Sequence, residues 1–229
     1  MKSKSKVIAI DGPSGSGKST IAKLLSKKLG LTYLDTGAMF RAIAYYFDNK
    51  GIDFADEVTI TKALSEITFD YAKSSDVLVS INDENLSEKI RQHHVSKLAS
   101  QISKVMAVRD FLKNMQREIA NMRPSILEGR DIGTVIFPDA ALKFFLTADG
   151  KIRAQRRLDQ LKEKNPELSY SFEEIYQDIV KRDESDAKRE IAPLVKAADA
   201  IELDTTQMSI DQAVEKIIEI YQKNRDLFL

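Results

Sequence analysis

Five short apolar runs recur along the chain: Val7–Asp11, Thr32–Leu34, Ser125–Glu128, Leu142–Leu146 and Ala200–Leu203. Each is β-prone, and stretches with helical spacing separate them. That alternation predicts an α/β fold on a central parallel sheet. After the first run, Ile21, Ala22, Leu24, Leu25 and Leu29 share one helical face, and Gly30 is placed to end the helix. Near the end of the chain, Ser209-x-x-Gln212 is a capping box. It opens a helix whose core face is Ile210, Ala213, Val214, Ile217, Ile218 and Tyr221. Two stretches break the rhythm. Residues 67–86 alternate apolar and polar, which predicts a small antiparallel insertion with a turn at Asn82–Asn85. Residues 150–190 read as two helices around a break at Asn165-Pro166, the second opened by the box Ser171-x-x-Glu174. An exposed helix pair flanking a loop suits a lid. There is no internal repeat and no low-complexity segment.

Between the first strand and the first helix, residues 12–19 read Gly-Pro-Ser-Gly-Ser-Gly-Lys-Ser. Every fixed position of G-x-x-x-x-G-K-[ST] is filled, in the strand–loop–helix context that the motif requires. Gly12, Gly15 and Gly17 let successive N–H groups point into one concavity, which suits a polyphosphate. A helix starting at Lys18 adds its positive end. Lys18 is expected to reach the β- and γ-phosphates, and the Ser19 hydroxyl to ligate Mg²⁺. Pro13, Ser14, Ser16 and Thr20 complete the expected nucleoside triphosphate site. A plain Gly-rich turn is the bland alternative, and the complete motif weighs against it.

Composition narrows the partners. The 229 residues carry 35 basic and 35 acidic side chains, so no global field favours nucleic acid or an anionic membrane. No apolar run approaches a membrane span. The basic start is followed by only four apolar residues before Asp11, too few for a signal peptide. With no cysteine there is no disulfide framework and no thiolate metal site, which fits the cytoplasm. The adjacent His93 and His94 cannot face one metal on a helix and read as a solvated face.

The loop alone does not say what becomes of the nucleotide. A GTPase would carry Asn-Lys-x-Asp, but the chain has Asn49-Lys50-Gly51-Ile52-Asp53, one residue too long. It would also carry Asp-x-x-Gly, but Asp131-Ile132-Gly133 is one residue too short. Large ATPases end a strand in a Walker-B aspartate, whereas here that strand ends in Glu128, followed by Gly-Arg-Asp. These mismatches point to a small kinase. So do the arginines, because joining two polyanions demands charge neutralisation, and guanidinium binds phosphate oxygens bidentately. Arg41 and Arg130 follow the second and third strands. Arg182, Asp186 and Arg189 fall on one helix face, as do Arg153, Arg156 and Arg157 on the helix before. For Arg153 and Arg157 a solvated, salt-bridged face is the favoured reading.

Six segments occur in the order found in bacterial cytidylate kinases. They are Gly12–Ser19, Asp35-Thr36-Gly37-Ala38-Met39-Phe40-Arg41, Glu128-Gly129-Arg130-Asp131-Ile132-Gly133-Thr134, Phe137-Pro138-Asp139-Ala140, Arg182-Asp183-x-x-Asp186-x-x-Arg189 and Ala192-Pro193-Leu194. The chain resembles that family through essentially its whole length. The resemblance implies a P-loop three-layer sandwich with a central parallel sheet, a small monophosphate-binding insertion and a helical lid. Its core would be about 1–35, 124–150 and 191–229, its monophosphate-binding region about 36–123, and its lid about 151–190. It implies transfer of the γ-phosphoryl of ATP to CMP or dCMP with Mg²⁺, by a monomer that needs no partner protein. Arg41 and Arg130 would hold the acceptor phosphate, and Thr36 would line the same pocket. Ser100, Arg109 and Asp131 would read the cytosine edge. Arg182 and Asp186 would meet the ribose hydroxyls, Arg189 would approach the phosphates, and Arg156 would be a lid arginine.

The base assignment has independent physical support. Cytosine offers an amino donor to a carboxylate and two acceptors to a guanidinium, a pattern that uracil inverts. A structural Arg109–Asp131 ion pair is the plain alternative. The chain departs from the family at Phe40, where tyrosine is common, and at Glu128, where aspartate often stands. It also departs at Ser185 and Ala187, where some members carry further arginines, so clamping would lean on Arg182, Lys188 and Arg189. A kinase for UMP or a small metabolite, and a non-enzymatic nucleotide switch, stay open as alternatives.

Overall fold

The structure is a computed structural model that describes residues 4–74, 77–164, 167 and 169–228. The Asn165-Pro166 break and the start of the chain lie outside the described residues. In chain order the elements are β1 (Ser5–Asp11), α1 (Lys18–Leu29), β2 (Thr32–Asp35), α2 (Thr36–Asn49), α3 (Glu57–Glu66), β3 (Phe69–Ser74), β4 (Val77–Ile81) and β5 (Glu84–Asn85). Then come α4 (His93–Ile102), α5 (Met106–Met122), β6 (Ser125–Gly129), a π-helical turn (Ile132–Ile136), β7 (Ala140–Thr147), α6 (Gly150–Lys164), α7 (Phe172–Lys188), β8 (Ile201–Asp204) and α8 (Ile210–Lys223).

The chain divides into two compact units, one of residues 1–34 and 119–229 and one of residues 35–118. The first is built on a five-stranded sheet in the order β2-β6-β1-β7-β8, with helices on both sides. Strands β6 and β7 flank β1 in parallel, and β8 pairs in parallel with β7. Central placement explains the run Val7-Ile8-Ala9-Ile10, which is buried throughout rather than alternating. Ile8 and Ile10 share a core with Ile21, Ala22 and Leu25 of α1 and with Ala213, Val214 and Ile217 of α8. The expected core faces of both helices are therefore the observed ones. The Ser209–Gln212 capping box is complete. At the other box, Ser171 accepts from Glu174 N and caps α7. Helices α6 and α7 pack on each other through Ala154, Leu158, Leu161, Ile175 and Ile179. No described helix is long and apolar enough to cross a membrane.

The second unit holds the expected antiparallel insertion, a β3-β4-β5 sheet. Its turn is tighter than the sequence suggests. Ile81 pairs with Glu84, and Asn82 and Asp83 take φ of 50° and 63°. Such angles suit Asn and Asp, whose side chains tolerate the left-handed region. Val79 and Ile81 pack with Met39, Ile43 and Phe47 of α2, Ile102 of α4 and Leu112 of α5. The edge of Phe69 meets Phe111, with centroids 6.4 Å apart. His94 is exposed, as a solvated face requires.

Candidate active site

In the first unit, Asp11 pairs with Gly129, so the chain leaves β1 and β6 at the same edge of the sheet. Gly12 begins the loop at φ 147°, and a Cβ there would lie 2.1 Å from the Leu146 carbonyl oxygen. Gly15 has φ 76°, and its Cβ would press on Arg153 at 3.0 Å. Only glycine fits either position. The loop then enters α1 at Lys18, so the N-terminal N–H groups of that helix border it.

The Lys18 side chain turns back over the loop. Its Nζ donates to the Pro13 carbonyl at 2.7 Å and to Ser16 Oγ at 3.3 Å. Burial, followed by the positive charge of Arg130, pulls this lysine down to about 7. Glu128 and Asp11 oppose that shift but do not cancel it. Beside it, Ser19 Oγ donates to Glu128 Oε1 at 2.5 Å, and Tyr33 Oη reaches the same oxygen at 3.3 Å. A hydroxyl and a carboxylate thus stand together at the start of the helix. That is an oxygen donor set that fits a hard divalent cation.

A second charged cluster stands in the same unit. Arg130 Nε donates to Asp186 Oδ2 at 2.8 Å. Burial works against both charges, but the pairing prevails and holds Arg130 above and Asp186 below their ordinary values. Arg182 lies near enough to act on the charges of both Asp186 and Lys18. Arg189 Nη2 lies 3.5 Å from Asp131 Oδ1, and its Nε donates to the Ala192 carbonyl at 2.5 Å. Thr20 is exposed on the first turn of α1. Arg156 donates to Thr205 Oγ1 at 3.1 Å and to the Thr205 carbonyl at 2.7 Å.

Two features differ from the sequence reading. Arg153, expected on a solvated face, is buried. Its guanidinium donates to the Ser14 carbonyl at 3.0 Å and to Asp183, while Asp183 Oδ1 accepts from Ser14 N at 3.2 Å. Arg153 and Asp183 together therefore grip the peptide groups of the phosphate loop. A lysine expected to help clamp, Lys188, is exposed and paired with Glu184.

Two further residues make bonds at the site that the sequence reading does not assign. Asp11 bonds the backbone after Asp131, and Thr205 bridges to Ser16 and Thr147. The signal for Asp11 was present, since it is a carboxylate closing an apolar strand directly before Gly12. For Thr205 the sequence carries none.

In the second unit, Asp35 caps α2 by accepting from Ala38 N at 2.8 Å, and its other oxygen takes Arg41 Nη2 at 3.2 Å. Tyr71 Oη accepts from Asp35 N at 2.6 Å. Thr36 is buried beside this cap. Ser100 is half-buried on α4. Arg109 is buried, donates to the Ser103 carbonyl at 3.1 Å and stands 5.7 Å from the centre of the Phe40 ring. Phe40 therefore offers its face to a cation, a role that needs no hydroxyl.

The family model for cytidylate kinase matches residues 8–223. The chain is 44% identical to a cytidylate kinase of Fervidobacterium nodosum, over 94% of this chain and 96% of that one. It is 45% identical to a cytidylate kinase of Clostridium tetani over 94% and 93%, and 44% identical to one of Fusobacterium nucleatum over 95% and 97%. With the phosphate loop, the Ser19–Glu128 pair and the arginine–carboxylate cluster in place, the chain belongs to the cytidylate kinase family, which are ATP-dependent phosphotransferases.

Proposed function

We infer that this chain transfers the γ-phosphoryl group of ATP to the phosphate of CMP or dCMP, giving CDP or dCDP. The observation that carries this reading is the pairing, in one unit, of a complete phosphate loop with the Arg130–Asp186 and Arg189–Asp131 cluster. The first binds a donor triphosphate. The second offers both positive charge for phosphate and a carboxylate for a base.

On the donor side, residues 12–20 cradle the triphosphate, and Lys18 leaves the Pro13 carbonyl to reach the β- and γ-phosphates. Mg²⁺ is the cofactor; Ser19 and Glu128 would hold it, and it would neutralise charge on the phosphate oxygens. On the acceptor side, Arg41 and Arg130 hold the phosphate, and Thr36 contributes its hydroxyl. Ser100, Arg109 and Asp131 read the base: the carboxylate accepts from the cytosine amino group and the guanidinium donates to N3 and O2. Arg182 and Asp186 bind the ribose hydroxyls.

An oxygen of the acceptor phosphate attacks the γ-phosphorus as the bond to the bridging oxygen of ADP breaks. That oxygen is already ionised at neutral pH, so no general base is needed. Arg189, Arg182 and Arg156 supply positive charge to the transferring group. Arg156 must give up its bonds to Thr205 to do so. The α6–α7 pair acts as the lid that excludes water, which would otherwise accept the phosphoryl group. The cytoplasm is the compartment that a cysteine-free chain of this chemistry suits.

ADP release with CMP, dCMP, UMP, AMP and GMP offered singly tests the reading. Fast turnover with CMP and dCMP and slow turnover with UMP is the expected result. Fast turnover with a different acceptor would overturn the base assignment. Tight nucleotide binding with no acceptor-dependent turnover would overturn the kinase reading.

A further inference from the structure

Asp131 stands at the N-cap of the π-helical turn Ile132–Ile136, a position where aspartate ordinarily accepts hydrogen bonds from the turn's own N–H groups. It does not do so here. The turn closes on the Asp131 carbonyl, which accepts from Val135 N at 2.9 Å and Ile136 N at 3.2 Å. The cap comes instead from 121 residues away. Asp11 Oδ1 accepts from Ile132 N at 2.9 Å, and Asp11 Oδ2 accepts from Gly133 N at 2.7 Å. Both donors are buried, and Asp11 is itself 4% exposed. The Asp131 carboxylate is thus left to other partners, Arg189 among them.

We propose that Asp11 is a positioning residue for acceptor specificity, capping the turn in Asp131's place so that the Asp131 carboxylate stays directed at the acceptor base. This rests on the reading of Asp131 as the group that accepts from the cytosine amino group. The chemistry needs a carboxylate. It accepts two N–H bonds with its two oxygens, whereas an asparagine would accept one and set its NH₂ against the other. With a buried N–H left unpaired, Asp131, already at the turn's N-cap position, is the substitute acceptor that would cap its own turn and leave the base. Because Asp11 also ends the strand that launches the phosphate loop, one side chain ties the donor loop to the base-reading turn.

The test compares Asp11→Asn, Asp131→Asn and the double variant, reading kcat/KM for CMP over that for UMP together with KM for ATP. Both single variants are expected to lower the ratio roughly tenfold or more, mainly through KM for CMP. KM for ATP should rise less than KM for CMP in Asp11→Asn, the loss on the ATP side being that of the charge that favours protonated Lys18, and the double variant should lose no more selectivity than Asp131→Asn alone. If Asp131→Asn lowers the ratio but Asp11→Asn does not, the positioning role is overturned and the base reading stands. If Asp131→Asn leaves the ratio unchanged, the base reading and the positioning role fall together. Equal losses for ATP and CMP at a constant ratio in Asp11→Asn also overturn the role.

Should Asp11→Asn fail to fold, Asp11→Glu serves in its place. It keeps the charge and both acceptor oxygens but would carry them one methylene further, out of register with Ile132 N and Gly133 N. A lowered CMP to UMP ratio is expected, and an unchanged ratio in a folded Asp11→Glu enzyme overturns the proposal.

Discussion

Ser19 Oγ and Glu128 Oε1 are 2.5 Å apart, so the last residue of the phosphate loop is bonded to the strand beside β1. The Tyr33 hydroxyl donates to the same Glu128 oxygen at 3.3 Å, so two hydroxyls fix that carboxylate. The family often has aspartate here, and the longer side chain spans the gap to Ser19 in this chain. Glu128→Asp should therefore pull the carboxylate back by about one methylene, roughly 1.5 Å. The expected result is a drop in kcat of roughly tenfold and a higher Mg²⁺ concentration for half-maximal rate, with KM for CMP little changed. A Mg²⁺ titration at saturating ATP and CMP checks it, and chelation of Mg²⁺ should abolish turnover in both proteins.

Lys18 illustrates a cost of the phosphate site. Its ordinary value of 10.5 falls to about 7 in the folded chain, chiefly through burial. The folded chain therefore binds fewer protons than the unfolded chain between pH 7 and 10.5, and this group's contribution to stability rises with pH across that window. Below pH 7 both states are charged and the penalty is complete. Lys18→Met should raise the nucleotide-free Tm at pH 6 by several degrees, the gain should shrink toward pH 10, and turnover should be lost. Thermal melts of both proteins at the two pH values measure it.

Bringing phosphate to Lys18 should restore its proton. Calorimetry in buffers of differing ionisation enthalpy should detect proton uptake when ADP binds at pH 8, where the phosphates are already ionised. The Lys18→Arg variant should take up none.

Arg153 and Asp183 hold the Ser14 peptide from both sides. Asp183→Asn weakens that grip, and it reaches the acceptor residues only through its charge on Arg130, a smaller influence than that of Asp186 or Glu128. We expect KM for ATP to rise roughly fivefold to tenfold while KM for CMP stays within about twofold. Equal effects on both substrates would mean that the pair supports the fold in general.

Phe40 supports Arg109 through its ring face. Phe40→Leu keeps the apolar packing and removes that face. KM for CMP should rise about threefold to thirtyfold, the range that a cation–π contact spans as it is desolvated. Phe40→Tyr should behave like the natural chain. Steady-state kinetics on the three proteins distinguishes them.

Much of this was legible in the chain itself. The five strands, the glycines of the loop and the core faces of α1 and α8 follow from periodicities within a few residues, and they stand where the patterns put them. What was not legible depends on distant partners. The π-helical turn after Asp131 is held by Asp11, and no local pattern announces a cap that arrives across 121 residues. Arg153 has the spacing of a solvated helix face, yet the Ser14 carbonyl and Asp183 give its charge a buried home. The hairpin turn at Asn82–Asp83 is legible in sequence only to within two residues, because several polar residues there suit a turn equally well.

The most direct test follows the phosphorus atoms. With ATP, CMP and Mg²⁺ supplied, ³¹P NMR should show one CDP formed for each ADP and no inorganic phosphate, because the acceptor phosphate attacks and water is shut out. ADP appearing with inorganic phosphate while CMP stays unchanged would contradict direct transfer between nucleotides.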